Sequence, residues 1–264
     1  MALTTGSYEF DHAQIPGLWQ PLKEEHFAQT CEDHNKLPTD DVLLKVKEKV
    51  KEHLPQLEEL FKEWGVEESF ALIVLHRHFK LPDGYNQVGR LIDGRFYFTR
   101  KVANNALNSS EVYGSKFVLT QRGWRPVEIH EGFESDLRKV NPEFLRAFTK
   151  YLLEKNLTST FGFEYIVPEL SIFNTLELDL PGYGLIVVSA ASAPPLDAPT
   201  VTTRWVWSHP IYTRKLTCIY FPKEGHRRID VKPEETYPSD DQVIAAFEKE
   251  YHMYTKHSKP ENCW

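Results

Sequence analysis

The spacing of hydrophobic residues along the chain predicts a long helix before residue 65 and strands from residue 70 onward. Between residues 39 and 64 the apolar positions recur every three or four residues, the period of one face of an α-helix. Thr39 can cap this helix and Gly65 can end it, while Pro55 predicts a kink or two abutting helices. The apolar stripe predicts a face packed on the core, and a homodimer interface is the alternative.

From residue 70 the period changes to two, which is typical of strands. Residues 70–78 are apolar on both faces until the end of the run, as in a central strand that is covered on both sides. The stretch "PGYG" predicts a hairpin. Further strands are predicted at 95–100, 116–120, 125–130, 161–167, 176–180, 184–190, 200–207 and 214–221.

Two more helices are predicted from their capping residues. Asn141 followed by Pro142 opens one, and Ser239 with Gln242 forms a capping box for the other. The strands cluster without a helix between each pair, which disfavours a parallel sheet. The sequence therefore predicts an α+β fold, with a mostly antiparallel sheet or partly closed β-barrel and about three helices packed outside.

The length of 264 residues and the absence of a clear linker predict a single globular domain over residues 1–264. Its expected parts are an irregular N-terminal arm at 1–38, a helical segment at 39–64, a strand-rich core at 70–221 that contains the helix at 141–155, and a C-terminal helix at 239–256.

Composition and charge restrict the expected partners. The net charge of −7 argues against nucleic acid, because binding phosphates needs a basic face. The three cysteines are scattered, and the first residues lack a basic and then apolar signal sequence, so a cytoplasmic location is expected. No apolar run approaches the ~20 residues of a membrane span, so no membrane association is expected.

The stretch "FALIVLHRHFKL", residues 70–81, places His76 and His78 at the end of the most apolar run in the chain. On one face of one strand their Cα atoms would lie roughly 6.5–7 Å apart, close enough for both imidazoles to bind one divalent metal such as Zn or Fe. A catalytic acid and base pair is a second interpretation. The alternative is two packed structural histidines, each of which needs a hydrogen-bond partner.

The spacing in "HRHFKLPDG" resembles the first half of the cupin metal motif, in which H-x-H is followed by a carboxylate, here Asp83. The resemblance implies a metal held by His76, His78 and this carboxylate. The sequence departs from the cupin pattern because it has Asp instead of Glu, lacks the glycine before the first histidine, and lacks the second motif. Asp83 also fits a turn in Pro-Asp-Gly. The chain is not assigned to that family.

A third polar group could come from the strand "VEIH", where Glu128 and His130 share one face. Glu128 is the candidate general base and His130 the candidate third metal ligand, with Glu164 in "FGFEYIV" as another option for the base. The alternative interpretation of the "VEIH" face is the polar, solvent-exposed side of an amphipathic strand.

Trp205 and Trp207 lie two residues apart in a predicted strand and could form an aromatic wall for a small organic ligand. Arg214, in the next strand, is a candidate for holding an anionic group of that ligand. The alternative for the two tryptophans is packing in the core.

Several common catalytic motifs are absent from the sequence, namely the P-loop, G-x-G-x-x-G, G-x-S-x-G and H-E-x-x-H. The sequence therefore favours an intracellular enzyme that acts on a small organic molecule in a β-rich pocket, with metal dependence through His76 and His78 as one option. The alternative is a non-catalytic small-molecule binding or protein-interaction module, in which both histidines are structural.

Overall fold

The computed structural model of the protein describes residues 11–12, 14–39, 41–132, 141–166, 174–180, 183–190, 200–208, 212–219 and 238–251. The helices in these ranges are α1 (Glu24–Asn35), α2 (Val42–Glu63), α3 (Pro142–Glu154) and α4 (Asp240–Tyr251). The strands are β1 (Phe70–Val74), β2 (Tyr85–Ile92), β3 (Phe96–Ala103), β4 (Val112–Thr120), β5 (Gly123–Glu131), β6 (Phe161–Tyr165), β7 (Thr175–Leu180), β8 (Gly184–Ser189), β9 (Thr200–Ser208) and β10 (Tyr212–Ile219).

The strands form one closed barrel, in the order β1-β6-β4-β5-β2-β3-β8-β7-β10-β9, with β9 pairing back to β1. Within the described ranges β2 with β5 and β7 with β10 are parallel pairs, and the remaining neighbours are antiparallel. The prediction of an α+β fold with a barrel and helices outside is confirmed. The barrel is closed rather than partly closed, and its sheet is mixed.

Two described elements were not predicted. Helix α1 lies inside the segment 1–38, which the sequence suggested to be irregular; its buried face includes Thr30, Asp33 and His34, so the apolar stripe that marks a helix is broken by polar residues. Strand β2 has buried Gln87 and a glycine in place of alternating apolar residues. In both cases the buried side is partly polar, which conceals the period.

The helix ends agree with the predicted caps. The Asn141 side chain accepts a hydrogen bond from the backbone N–H of Glu143 at 2.9 Å, and Ser239 and Gln242 form the reciprocal capping box at the start of α4. Helix α2 continues through Pro55 as one helix. Its apolar stripe is buried within the chain, against β1 and β9.

The hydrophobic core lies on the outer face of the barrel. Helices α2 and α3 cover one side, where Phe61 packs on Phe144 and Trp207 with ring centroids 5.0 and 5.1 Å apart. Helix α4 covers another side, where Val243 and Phe247 pack on strands β3, β7 and β8. The strands that these helices cover therefore turn an apolar face outward, toward the helices.

Several of the residues that alternate with this core and point into the barrel are polar or charged, and others, such as Ile73 and Val187, are apolar. In β6 the buried residue next to Phe163 is Glu164, and in β9 the residue next to Trp205 is Arg204. These two inward side chains meet, since Arg204 Nη1 lies 3.2 Å from Glu164 Oε1. Closing the sheet thus turns polar strand faces away from water. None of the helices in the described part of the chain is long and apolar enough to cross a membrane.

His34 on α1 contacts the barrel, and its low pKa predicts that the stability of the fold depends on pH. Its Nδ1 lies 3.2 Å from the carbonyl oxygen of Val127, its Nε2 lies 3.3 Å from that of Phe79, and burial lowers its pKa to about 4. The unfolded chain, with a histidine pKa of about 6.5, binds more protons between these values, so stability falls as pH drops from 6.5 toward 4. We expect this one group to cost about 2 kcal/mol of unfolding free energy at pH 5 relative to neutral pH.

Denaturant unfolding of the wild type and of His34→Gln at pH 7 and pH 5 measures this contribution. The variant is expected to lose about 2 kcal/mol less than the wild type over that pH change, since it has no imidazole to titrate. Equal losses in the two proteins would show that His34 does not carry this pH dependence.

Candidate metal centre

His76 and His78 lie just beyond β1, in a segment that turns away from the sheet. The predicted strand through residue 78 is wrong, because β1 ends at Val74, opposite Phe161 at the start of β6. The Leu75 N–H still donates to Thr160, but the Arg77 N–H donates to the carbonyl of Pro38 at 2.8 Å. The chain then runs from β1 toward β7 and β8, which lie elsewhere around the barrel.

Three potential metal ligands converge where this segment meets β7. His76 Nε2 lies 3.2 Å from His78 Nε2, and His78 Nε2 lies 3.4 Å from Glu177 Oε2. All three ligand atoms lie within 4.8 Å of one another. The side chains of His78 and Glu177 are 7% and 4% exposed, and His76 is half-buried.

The ring of His76 is oriented by the backbone. Its Nδ1 lies 2.9 Å from the carbonyl oxygen of Val74, so the Nδ1–H donates there and leaves the Nε2 lone pair facing His78. Burial, together with the positive charge of a protonated His78, lowers the pKa of His76 to about 3. A neutral imidazole with a fixed tautomer is the form in which histidine binds a metal.

His78 and Glu177 form an ion pair when His78 is protonated. Burial lowers the pKa of His78, but the carboxylates of Glu177 and Asp179 outweigh this effect and raise it overall. Burial likewise opposes the charge on Glu177, yet His78 and Lys116 hold the pKa of Glu177 well below its usual value. The site therefore favours a negative carboxylate with a positive charge beside it.

A buried ion network surrounds the centre. Lys116 Nζ on β4 lies 3.0 Å from Glu128 Oε1 on β5. Burial lowers the pKa of Lys116, but Glu128, Glu164 and Glu177 raise it overall, so Lys116 stays positively charged. Burial raises the pKa of Glu128, and Lys116 only partly opposes that shift. Lys116 thus contacts Glu128 and acts electrostatically on Glu164 and Glu177, which come from two other strands.

A small cavity adjoins two of the three ligands. His76, Glu177, Lys116 and Glu128 line it, and its volume of about 20 Å³ is enough for one water molecule or ion. The cavity places Glu128 beside the same enclosed space as two of the three ligands.

The structure brings together some of the predicted site residues and separates others. Glu128 lies at the internal cavity, as described above. His130 lies apart from the ligand group, with its Nδ1 3.1 Å from the hydroxyl of Tyr97 and its ring stacked on that residue; burial lowers its pKa to about 4. Asp83, the carboxylate in the cupin-like spacing, is exposed in a turn.

The predicted ligand wall lies in the core. Trp205 and Trp207 are 5% and 2% exposed and belong to the hydrophobic cluster under α2 and α3. Neither lines the described cavities, and Trp207 packs edge-on against Phe61. Arg214 lies in β10 opposite Val206. The side chain of Arg214 lies outside the described part of the structure.

Glu177 was not predicted as a ligand from the sequence. It sits in "LELDL", where acidic residues alternate with leucines, a pattern typical of a strand with one solvent-exposed face. The sequence did contain a clue to this residue, because Glu128, Glu164 and Glu177 each lie between apolar residues in three predicted strands. Only the closure of the barrel shows that these faces are enclosed.

Comparison with known proteins finds no match to a protein-family model, to a curated protein or to a solved structure.

The ion network generates a stability prediction. Replacing Lys116 with Met removes the cation shared by three buried carboxylates, and we expect a loss of about 3–5 kcal/mol in the free energy of unfolding. The exposed Lys47 on α2 provides a matched control, for which Lys47→Met should change stability by less than about 0.5 kcal/mol. Denaturant unfolding measures both. Similar small losses in the two variants would contradict the role assigned to Lys116.

Proposed function

We propose that this protein is a metal-dependent enzyme that acts on a small organic molecule, with a divalent metal such as Zn or Fe bound by His76, His78 and Glu177. The observation that carries the proposal is the convergence of the three ligand atoms within 4.8 Å of one another inside a closed barrel.

Two of the three distances between the ligand atoms suit a metal. Two atoms that are each 2.0–2.1 Å from a tetrahedral ion lie roughly 3.3 Å apart. The distances of 3.2 Å between the two Nε2 atoms and 3.4 Å from His78 Nε2 to Glu177 Oε2 are close to this value.

One cation between the three atoms would contact all of them, since His78 Nε2 lies near both His76 Nε2 and Glu177 Oε2. The carbonyl of Val74, which accepts the Nδ1–H of His76, is the kind of outer contact that holds a metal-binding histidine.

Three protein ligands favour a catalytic site over a structural one, because a fourth position stays open for water or substrate. A set of two histidines and one carboxylate is used by zinc hydrolases and by iron oxygenases. The adjoining cavity of about 20 Å³ fits a water molecule, whose pKa a bound metal would lower. Glu128 at this cavity is the residue proposed to accept the proton of that water.

Elemental analysis of the protein purified without an affinity tag, followed by titration with Zn²⁺ or Fe²⁺, tests the proposal. We expect close to one metal ion per chain. His76→Ala and Glu177→Gln should each lower the metal affinity at least about 100-fold, because losing a direct ligand lowers the affinity more than losing a hydrogen bond to a ligand.

Two matched variants separate the ligands from nearby polar residues. Glu128→Gln makes the same chemical change as Glu177→Gln at the same cavity, and it should keep the metal. His130→Ala removes a buried histidine outside the ligand group and should also keep it. If the wild type binds no metal and the ligand variants only unfold more easily, His76 and His78 are structural and the proposed metal centre is wrong.

A further inference from the structure

A large cleft lies on the surface next to the metal centre. It is bounded by α1, by the turn between β4 and β5, and by the residues before β6; its volume is about 770 Å³. Pockets of about 300–1,000 Å³ are typical for small organic ligands. The internal cavity at the metal centre is far smaller, so an organic substrate needs additional space of this size.

The cleft and the internal cavity share two side chains. Leu37 and Leu75 line both of them, and Leu75 directly precedes the ligand His76. These leucines belong to a small hydrophobic cluster with Ile73, Val118 and Val127. The two leucine side chains thus stand between the cleft and the candidate metal centre.

The charged side chains of the cleft neutralise one another. Lys36 Nζ lies 2.6 Å from Glu32 Oε1 and 3.4 Å from Asp33 Oδ1, and Arg122 Nη2 lies 3.5 Å from Asp33 Oδ1. Because these pairs leave little unbalanced charge, the cleft does not select for a charged ligand.

The remaining lining of the cleft is apolar with hydroxyl groups. Leu37, Leu75 and Val118 are buried and apolar, while Thr120 and Thr158 provide hydroxyls. Such a surface accommodates an apolar body that carries a few hydrogen-bonding groups.

We propose that this cleft binds the substrate of the metal centre, and that the substrate is an uncharged organic molecule with an apolar body and a terminal carbonyl or hydroxyl oxygen. The body lies in the cleft, and the oxygen passes Leu37 and Leu75 to reach the metal. This inference rests on the proposed function, because it needs a metal at His76, His78 and Glu177.

Hydroxamic acids test this inference, because they are uncharged at neutral pH, bind metals through oxygen, and differ here only in tail length. The full-length protein is loaded with Co²⁺, and its visible spectrum is followed during titration with acetohydroxamic acid or octanohydroxamic acid. We expect the longer compound to bind at least about 10-fold more tightly, because its alkyl tail is buried in the cleft.

A blocking variant locates the binding of the tail. Ser159 is exposed and lines the cleft, so Ser159→Trp fills the cleft without changing the core. It should reduce the advantage of the longer compound to less than about 3-fold and leave the affinity for acetohydroxamic acid unchanged. Ser110→Trp, at an exposed serine outside the cleft, is the control and should behave as the wild type.

A matched pair of variants tests whether the ligand enters past the two leucines. Leu75→Ala removes one of these side chains and should accelerate the spectral change several-fold. Leu216→Ala removes a side chain that lines the internal cavity but not the cleft, and it should leave the rate unchanged.

The outcomes separate this inference from the proposed function. If Co²⁺ does not bind at His76, His78 and Glu177, both are wrong. If Co²⁺ binds but the alkyl tail gives no advantage, or Ser159→Trp does not remove that advantage, the metal centre stands and the cleft is not its substrate site.

Discussion

The structure depends on the neutralisation of buried charge inside the barrel. Three buried carboxylates, Glu128, Glu164 and Glu177, are paired there with the cations of Lys116 and Arg204 and with His78. Burying a carboxylate without such a partner costs several kcal/mol, so the strands that carry these residues must be held in register with one another. Protonation of His78 adds a positive charge beside Glu177, and a metal ion at the same place would supply positive charge there instead.

This polar interior explains why the helices lie where they do. Because the charged faces of the strands point inward, their aromatic and aliphatic faces point outward and need a cover. Helices α2 and α3 cover the strands around β1, and α4 covers β7 and β8. Trp205 and Trp207 belong to this outer core, which is why they pack on a helix instead of lining a ligand pocket.

The candidate metal centre combines residues that are distant in sequence. His76 and His78 come from the segment that leaves β1, and Glu177 comes from β7. The β1–β6 pairing ends at Val74 and Phe161, and beyond it the Arg77 N–H donates to the carbonyl of Pro38. Lys116 and Glu128 then reach the same cavity from the neighbouring strands β4 and β5. The geometry of the centre is thus set by the closure of the barrel and by where individual strands end.

The sequence by itself determined the types and approximate positions of most elements, because helix caps and hydrophobic periods are local properties. It also identified His76 and His78, since two imidazoles at the end of an apolar run need polar partners. Glu177 and the inner positions of Glu128 and Glu164 could not be derived in this way, because alternation shows that a strand has two different faces but not which face water reaches. Only the tertiary structure decided this, by closing the strands into a barrel that encloses these carboxylates.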